Sequence, residues 1–139
     1  MSIQHRLTIK PRVLIADDHP AMRQALARVV SGECEVIGIV ADGDAALREA
    51  RRLAPDVAIL DIFMPLMNGF AVGRQLKIDL PQTSLIYVTA QPDVASREDA
   101  RRIGAAAVIA KGSIGTSLLH AIRTAIAYDW PSDSLPIHP

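Results

Sequence analysis

Five short apolar runs recur along this chain, and a segment of helical spacing follows each of them. The runs are VLIAD (13–17), EVIGIVA (35–41), DVAILDI (56–62), SLIYVTA (84–90) and AAVIA (106–110). They are nearly continuous in apolar character rather than alternating, the pattern of strands covered on both faces. Few folds accommodate such a series. Strand–helix units in succession imply a parallel sheet with helices on both sides, because a right-handed crossover lays each helix back on the sheet. The expected fold class is therefore α/β: a doubly wound five-stranded parallel sheet of flavodoxin-like order 2-1-3-4-5, a (βα)5 unit.

The intervening segments support this reading. Residues 20–30 carry Met22, Leu26, Val29 and Val30 on one stripe, and residues 42–54 carry Leu47 and Ala50. Residues 68–80 place Val72, Leu76 and Leu80 at steps of four, and residues 113–128 place Ile114, Leu118, Ile122 and Ile126 likewise. Ser113 stands where an N-cap belongs. Residues 92–103 are mostly charged, with Val94, Ala100 and Ile103 as a thin apolar stripe, so this helix is expected to be weakly anchored. After Tyr128 the sequence becomes DWPSDSLPIHP, which reads as a linker. The expected organisation is an N-terminal extension at 1–11, one domain at 12–128 and a linker-like tail at 129–139.

Composition narrows the function classes. Fifteen Lys and Arg balance fifteen Asp and Glu, which gives no basic surface for nucleic acid or anionic lipid. Cys34 is the single cysteine, so no internal disulfide can form. No apolar run approaches the length of a membrane span, and the first residues lack the apolar core of a secretory signal, so the expected address is the cytoplasm.

In a doubly wound sheet, ligands bind beyond the carboxyl ends of the strands where strand order reverses, here between the first and third. The first strand ends in Asp17-Asp18 and the third in Asp61; the fourth delivers Thr89 and the fifth Lys111. Two like charges 4 Å apart repel by about 4 kcal/mol at an effective dielectric of 20, so clustered carboxylates need a countercharge. An all-oxygen set suits Mg2+, while a hydroxyl and an ammonium suit phosphate oxygens. The combination points to phosphoryl transfer onto a carboxylate, with Asp61 as the acceptor. The four histidines show no metal-ligand spacing, His19 is expected to cap a helix or face solvent, and Met64 and Met67 read as packing residues.

With ADDHP at 16–20, D-x-x-M-P-x-x-x-G at 61–69, Thr89-Ala90, and Gly104-Ala105 ahead of Lys111, the chain resembles the receiver domains of two-component response regulators. ADDHP and Lys111-Gly112-Ser113 resemble most the LuxR/NarL-type transcriptional regulators. The resemblance implies that a sensor histidine kinase phosphorylates Asp61. It also implies that Asp17, Asp18, Asp61 and the main-chain carbonyl of Phe63 hold Mg2+, that Thr89 and Lys111 bind the phosphoryl oxygens, and that Pro65 and Gly69 shape the loop. Phosphorylation would then change the face formed by the 92–103 helix, the fifth strand and the last helix. A homodimer would use that face or the first and last helices, and DNA would be reached only through a C-terminal domain beyond these residues.

The sequence departs from the family at Val108, where many receivers carry an aromatic, and at Gly112, where many carry proline; this leaves the Lys111–Gly112 peptide open between cis and trans. Three other readings compete. A stand-alone receiver needs no output domain. A magnesium-dependent phosphatase with an aspartyl-phosphate intermediate calls for D-x-D after the first strand, where this chain has adjacent aspartates. A flavodoxin-like cofactor binder is disfavoured because DDHPAM would repel phosphate.

Overall fold

The computed structural model describes residues 10–126. The expected extension at 1–11 lies mostly outside them, and the tail at 129–139 wholly so. Five strands, β1 (Arg12–Ala16), β2 (Glu35–Val40), β3 (Val57–Asp61), β4 (Ser84–Thr89) and β5 (Ala107–Ala110), form one parallel sheet in the order β2-β1-β3-β4-β5. Five α-helices alternate with them: α1 (Pro20–Val30), α2 (Gly43–Leu53), α3 (Gly69–Asp79), α4 (Val94–Ile103) and α5 (Ile114–Ala125). The strand order is the expected one.

Successive strand residues feed opposite layers, as the period of two requires. Val13, Ile15, Val57, Ile59, Ile86, Val88 and Ile109 pack with Leu26 and Val30 of α1 and with Ile114, Leu118 and Ile122 of α5. Leu14, Ala16, Ala58, Leu60, Leu85 and Tyr87 pack with α2, α3 and Ala100 of α4. The three central strands are thus apolar on both faces. The edge strand β2 is only partly covered, and its Ile39 is half exposed.

Helix starts follow local chemistry. Asp42, Asn68 and Asp93 cap α2, α3 and α4, each accepting a bond from the amide three residues on, at 2.7, 2.9 and 2.8 Å. Two expectations need correction. Ser113 precedes α5 but makes no capping bond, because Lys111–Ser113 form a 3-10 turn that presents the helix differently. Val94, expected on the apolar stripe of α4, is 78% exposed, so Ala100 is the only apolar side chain that this helix buries fully. Among the described residues no peptide is cis, so the Lys111–Gly112 bond is trans. No described helix is long and apolar enough to cross a membrane.

Candidate phosphoryl-acceptor site

Sheet register assembles the crevice. Ala16 pairs with Leu60, so Asp17 and Asp61 leave the carboxyl edge side by side. Asp61 pairs with Val88, one residue before Thr89, and Thr89 pairs with Ala110, one residue before Lys111. Four strands thereby deliver their polar ends to one mouth. Asp17, Asp61 and Thr89 are all buried.

Lys111 is the countercharge that the carboxylates require. Its Nζ lies 3.2 Å from Asp17 Oδ2 and 3.3 Å from Asp61 Oδ2, with its side chain only 16% exposed. The contact with Asp61 is a hydrogen bond. The contact with Asp17 lacks hydrogen-bond alignment, so Asp17 Oδ2 is buried with charge compensation but no donor. Burial, followed by the charge of Asp17, pushes the Asp61 carboxyl up to about 6, against the opposing pull of Lys111. Burial also works against the Lys111 charge, but Asp61 and Asp17 together outweigh it and hold the ammonium above the ordinary lysine value.

The residues fit a hard divalent cation. Asp17, Asp18, His19 and Asp61 each offer one ligand atom, and these four atoms lie within 4.8 Å of one another. Asp18 Oδ1 is buried without a hydrogen-bond partner, which is costly for a carboxylate oxygen unless a cation completes the site. Oxygen donors of this kind are what Mg2+ takes.

Beside the carboxylates opens a cleft of about 290 Å³ lined by Asp61, Phe63, Thr89 and Lys111, together with Ser96 of α4. Asp61, Thr89 and Lys111 thus share a space that a phosphoryl group could enter. Phe63, whose carbonyl is expected to bind metal, lines the cleft with its side chain 69% exposed.

The loop after Asp61 explains Pro65 and Gly69. The Gly69 amide donates to the Ile62 carbonyl at 2.7 Å, folding the loop back on the acceptor strand. A Cβ on Gly69 would lie 2.2 Å from the Asp61 carbonyl oxygen, so only glycine fits. The Pro65 carbonyl accepts from the Met67 amide at 2.8 Å across Leu66, which sits at φ 72°. That tight turn holds an exposed, β-unfriendly conformation for a non-glycine residue.

Several contributors were not legible in the sequence. Arg23 reaches from α1 to the Asp17 carbonyl at 2.8 Å and fixes the backbone that carries the acidic pair. Tyr87 donates to the Gly69 carbonyl at 2.7 Å from within the core. Gly43 packs where a Cβ would strike the Met67 carbonyl, tying the start of α2 to the acceptor loop. Only the glycine after a capping aspartate could have hinted at any of these. Val108, at the position of the family aromatic, is partly buried against the α2–α4 layer.

The family described as the response regulator receiver domain matches residues 13–123. The chain is 39% identical over 109 residues to protein-glutamate methylesterase/protein-glutamine glutaminase 2 of Anaeromyxobacter dehalogenans, covering 77% of this chain and 32% of that protein. It is 36% identical over 116 residues to the "Probable transcriptional regulatory protein NarL" of Mycobacterium tuberculosis, covering 81% of this chain and 53% of that one. The crystal structure of the response regulator domain of Thermotoga maritima CheB is similar with a TM-score of 0.80 at 30% identity, over 86% of this chain and 98% of that domain. The chain therefore spans about a third to a half of the length of these two curated relatives.

Proposed function

The chain belongs to the response regulator receiver domain family, and on that premise we propose that it is a phosphorylatable switch whose Asp61 accepts a phosphoryl group from a sensor histidine kinase. The observation that carries the reading is the buried Asp61 carboxylate held 3.3 Å from Lys111 at the mouth of a cleft that Thr89 also lines. With its carboxyl near 6, Asp61 is mostly ionised at neutral pH and so available as a nucleophile. One of its oxygens attacks phosphorus as the P–N bond of the donor phosphohistidine breaks. The new P–O bond gives an acyl phosphate, and the departing imidazole takes the electron pair and a proton. Lys111 and the Thr89 hydroxyl donate to the phosphoryl oxygens. Asp17, Asp18, Asp61 and the Phe63 carbonyl would hold Mg2+. When bound, that ion supplies neutralisation of the gathered negative charge.

The readout is the α4–β5–α5 face. Support comes from α4, which buries only Ser96 and Ala100 while its first turn borders the cleft. Val108 leaves no aromatic at the family's switch position, so the change passes through Thr89 and the start of α4.

We assign residues 12–128 to the receiver, 1–11 to an extension and 129–139 to a linker, in a protein of the cytoplasm. The domain is a signalling unit rather than an enzyme beyond its own phosphotransfer and dephosphorylation. Its output, on this reading, is transcriptional, through a DNA-binding domain of LuxR/NarL type; a stand-alone receiver is the alternative. The test is beryllofluoride with Mg2+, followed by 19F and amide NMR. One bound fluoroberyllate, amide shifts at Thr89, Lys111 and α4, and loss of both in Asp61→Asn are expected. Binding retained in Asp61→Asn would overturn the assignment.

A further inference from the structure

We infer that Arg23 is a positioning residue for the crevice cation: by gripping the Asp17 carbonyl it holds the Asp17–Asp18 peptide in the orientation that turns two consecutive acids toward one ion. The inference rests on the reading of Asp17, Asp18 and Asp61 as a Mg2+ site, and it adds a group that acts on that site without touching the metal.

Successive side chains of an extended strand point to opposite faces. Asp17 and Asp18 follow β1 directly, so a chain that simply continued the strand would aim one of them away from the other. Yet both offer ligand atoms within 4.8 Å of each other and of one from Asp61. The peptide between them must therefore be turned out of the strand. The carbonyl of that peptide is the one Arg23 holds, with Nη1 donating to it at 2.8 Å. The peptides on either side are fixed by other bonds. The Asp17 amide donates to the Val40 carbonyl at 3.1 Å, and the His19 amide donates to Asp17 Oδ1 at 2.9 Å. Neither bond engages the Asp17 carbonyl, whose direction is left to Arg23.

Helix α1 supplies the anchor. Arg23 is its fourth residue, and the Arg23 amide donates to the His19 carbonyl at 3.0 Å. The side chain thus reaches back from a fixed first turn to the end of β1. The bland alternative is a surface arginine that satisfies a stray carbonyl. Arg23 is half-buried, however, and a charged donor binds a carbonyl more strongly than a neutral one.

The experiment titrates MgCl2 calorimetrically into the wild type, Arg23→Ala and Arg28→Ala, the last removing an exposed charge from the same helix. Groups that orient metal ligands carry about tenfold in affinity, so Arg23→Ala should bind Mg2+ about tenfold more weakly. Arg28→Ala should stay within about twofold of the wild type. In the metal-free protein the Asp18 amide resonance, which reports the same peptide, should move in Arg23→Ala and not in Arg28→Ala. With acetyl phosphate, the Mg2+ concentration for half-maximal phosphorylation of Arg23→Ala should rise about tenfold while the rate at saturating Mg2+ stays within about twofold. Unchanged Mg2+ affinity, an unmoved Asp18 amide, or equal weakening in Arg28→Ala would each overturn the proposal. Should Arg23→Ala fail to fold, Arg23→Lys replaces it, with the charge kept and the reach shortened, and a Mg2+ affinity equal to that of the wild type would again overturn it. A wild type that binds no Mg2+ would instead sink the reading of the crevice as a cation site, so the two failures are distinguishable.

Discussion

Asp61 holds its charge under protest. Burial and the neighbouring Asp17 raise its carboxyl from the ordinary 3.8 to about 6. A group whose folded value is raised lends stability that is complete below the unfolded value and lost as pH rises through the folded one. At pH 7 the metal-free domain therefore carries a penalty that Asn at this position would remove. Asp61→Asn should stabilise it by about 2–3 kcal/mol at pH 7, from roughly two units at about 1.4 kcal/mol each. The gain should shrink as pH falls from 7 toward 4, and denaturant melts of both proteins across that range measure it. The residues at this scale were legible in the sequence because each ends an apolar strand, where a polar side chain has no packing reason to stand. Arg23 was not, because an arginine on a helix carries no mark of the carbonyl it will find.

At the scale of elements, the acceptor loop and α4 differ in what holds them. Leu66 is 83% exposed in left-handed geometry, a conformation that costs a non-glycine residue about 1–2 kcal/mol. Leu66→Gly should relieve this, offset partly by the greater freedom of glycine in the unfolded chain, for a net gain of about 0.5–1 kcal/mol. A rise in melting temperature would register it, and a fall would show that the exposed leucine makes a stabilising contact. Helix α4 is held by the Asp93 cap, by surface pairs such as Glu98–Arg101, and by little burial. Such exposed pairs are screened by water and contribute little. In α5, by contrast, Ile114, Leu118 and Ile122 are all buried. Amides of α4 should therefore exchange with solvent at least roughly tenfold faster than those of α5, as hydrogen-exchange mass spectrometry would resolve. The thin stripe of α4 was visible in the sequence, but the exposure of Val94 was not. In its first turn Ser96 is buried at the cleft and Val94 faces solvent, which spacing alone cannot say.

Across the whole molecule, the nearly continuous apolar runs specified the fold because each central strand had to be covered twice. Parallel pairing and short crossovers then leave one strand order with helices on both faces. That order puts the reversal between β1 and β3, and the crevice follows from the register that sets Ala16 beside Leu60 and Thr89 beside Ala110. The cross-loop contact between Gly43 and Met67 depends on how two loops meet in space, so no local pattern announced it. The same geometry predicts a single chemical outcome for the domain. Incubation with acetyl phosphate and Mg2+, followed by intact and peptide mass spectrometry under acidic conditions, should find one phosphoryl group on Asp61 and none on the Asp61→Asn variant. A wild type that stays unmodified, or a variant that is modified to the same extent, would contradict the account.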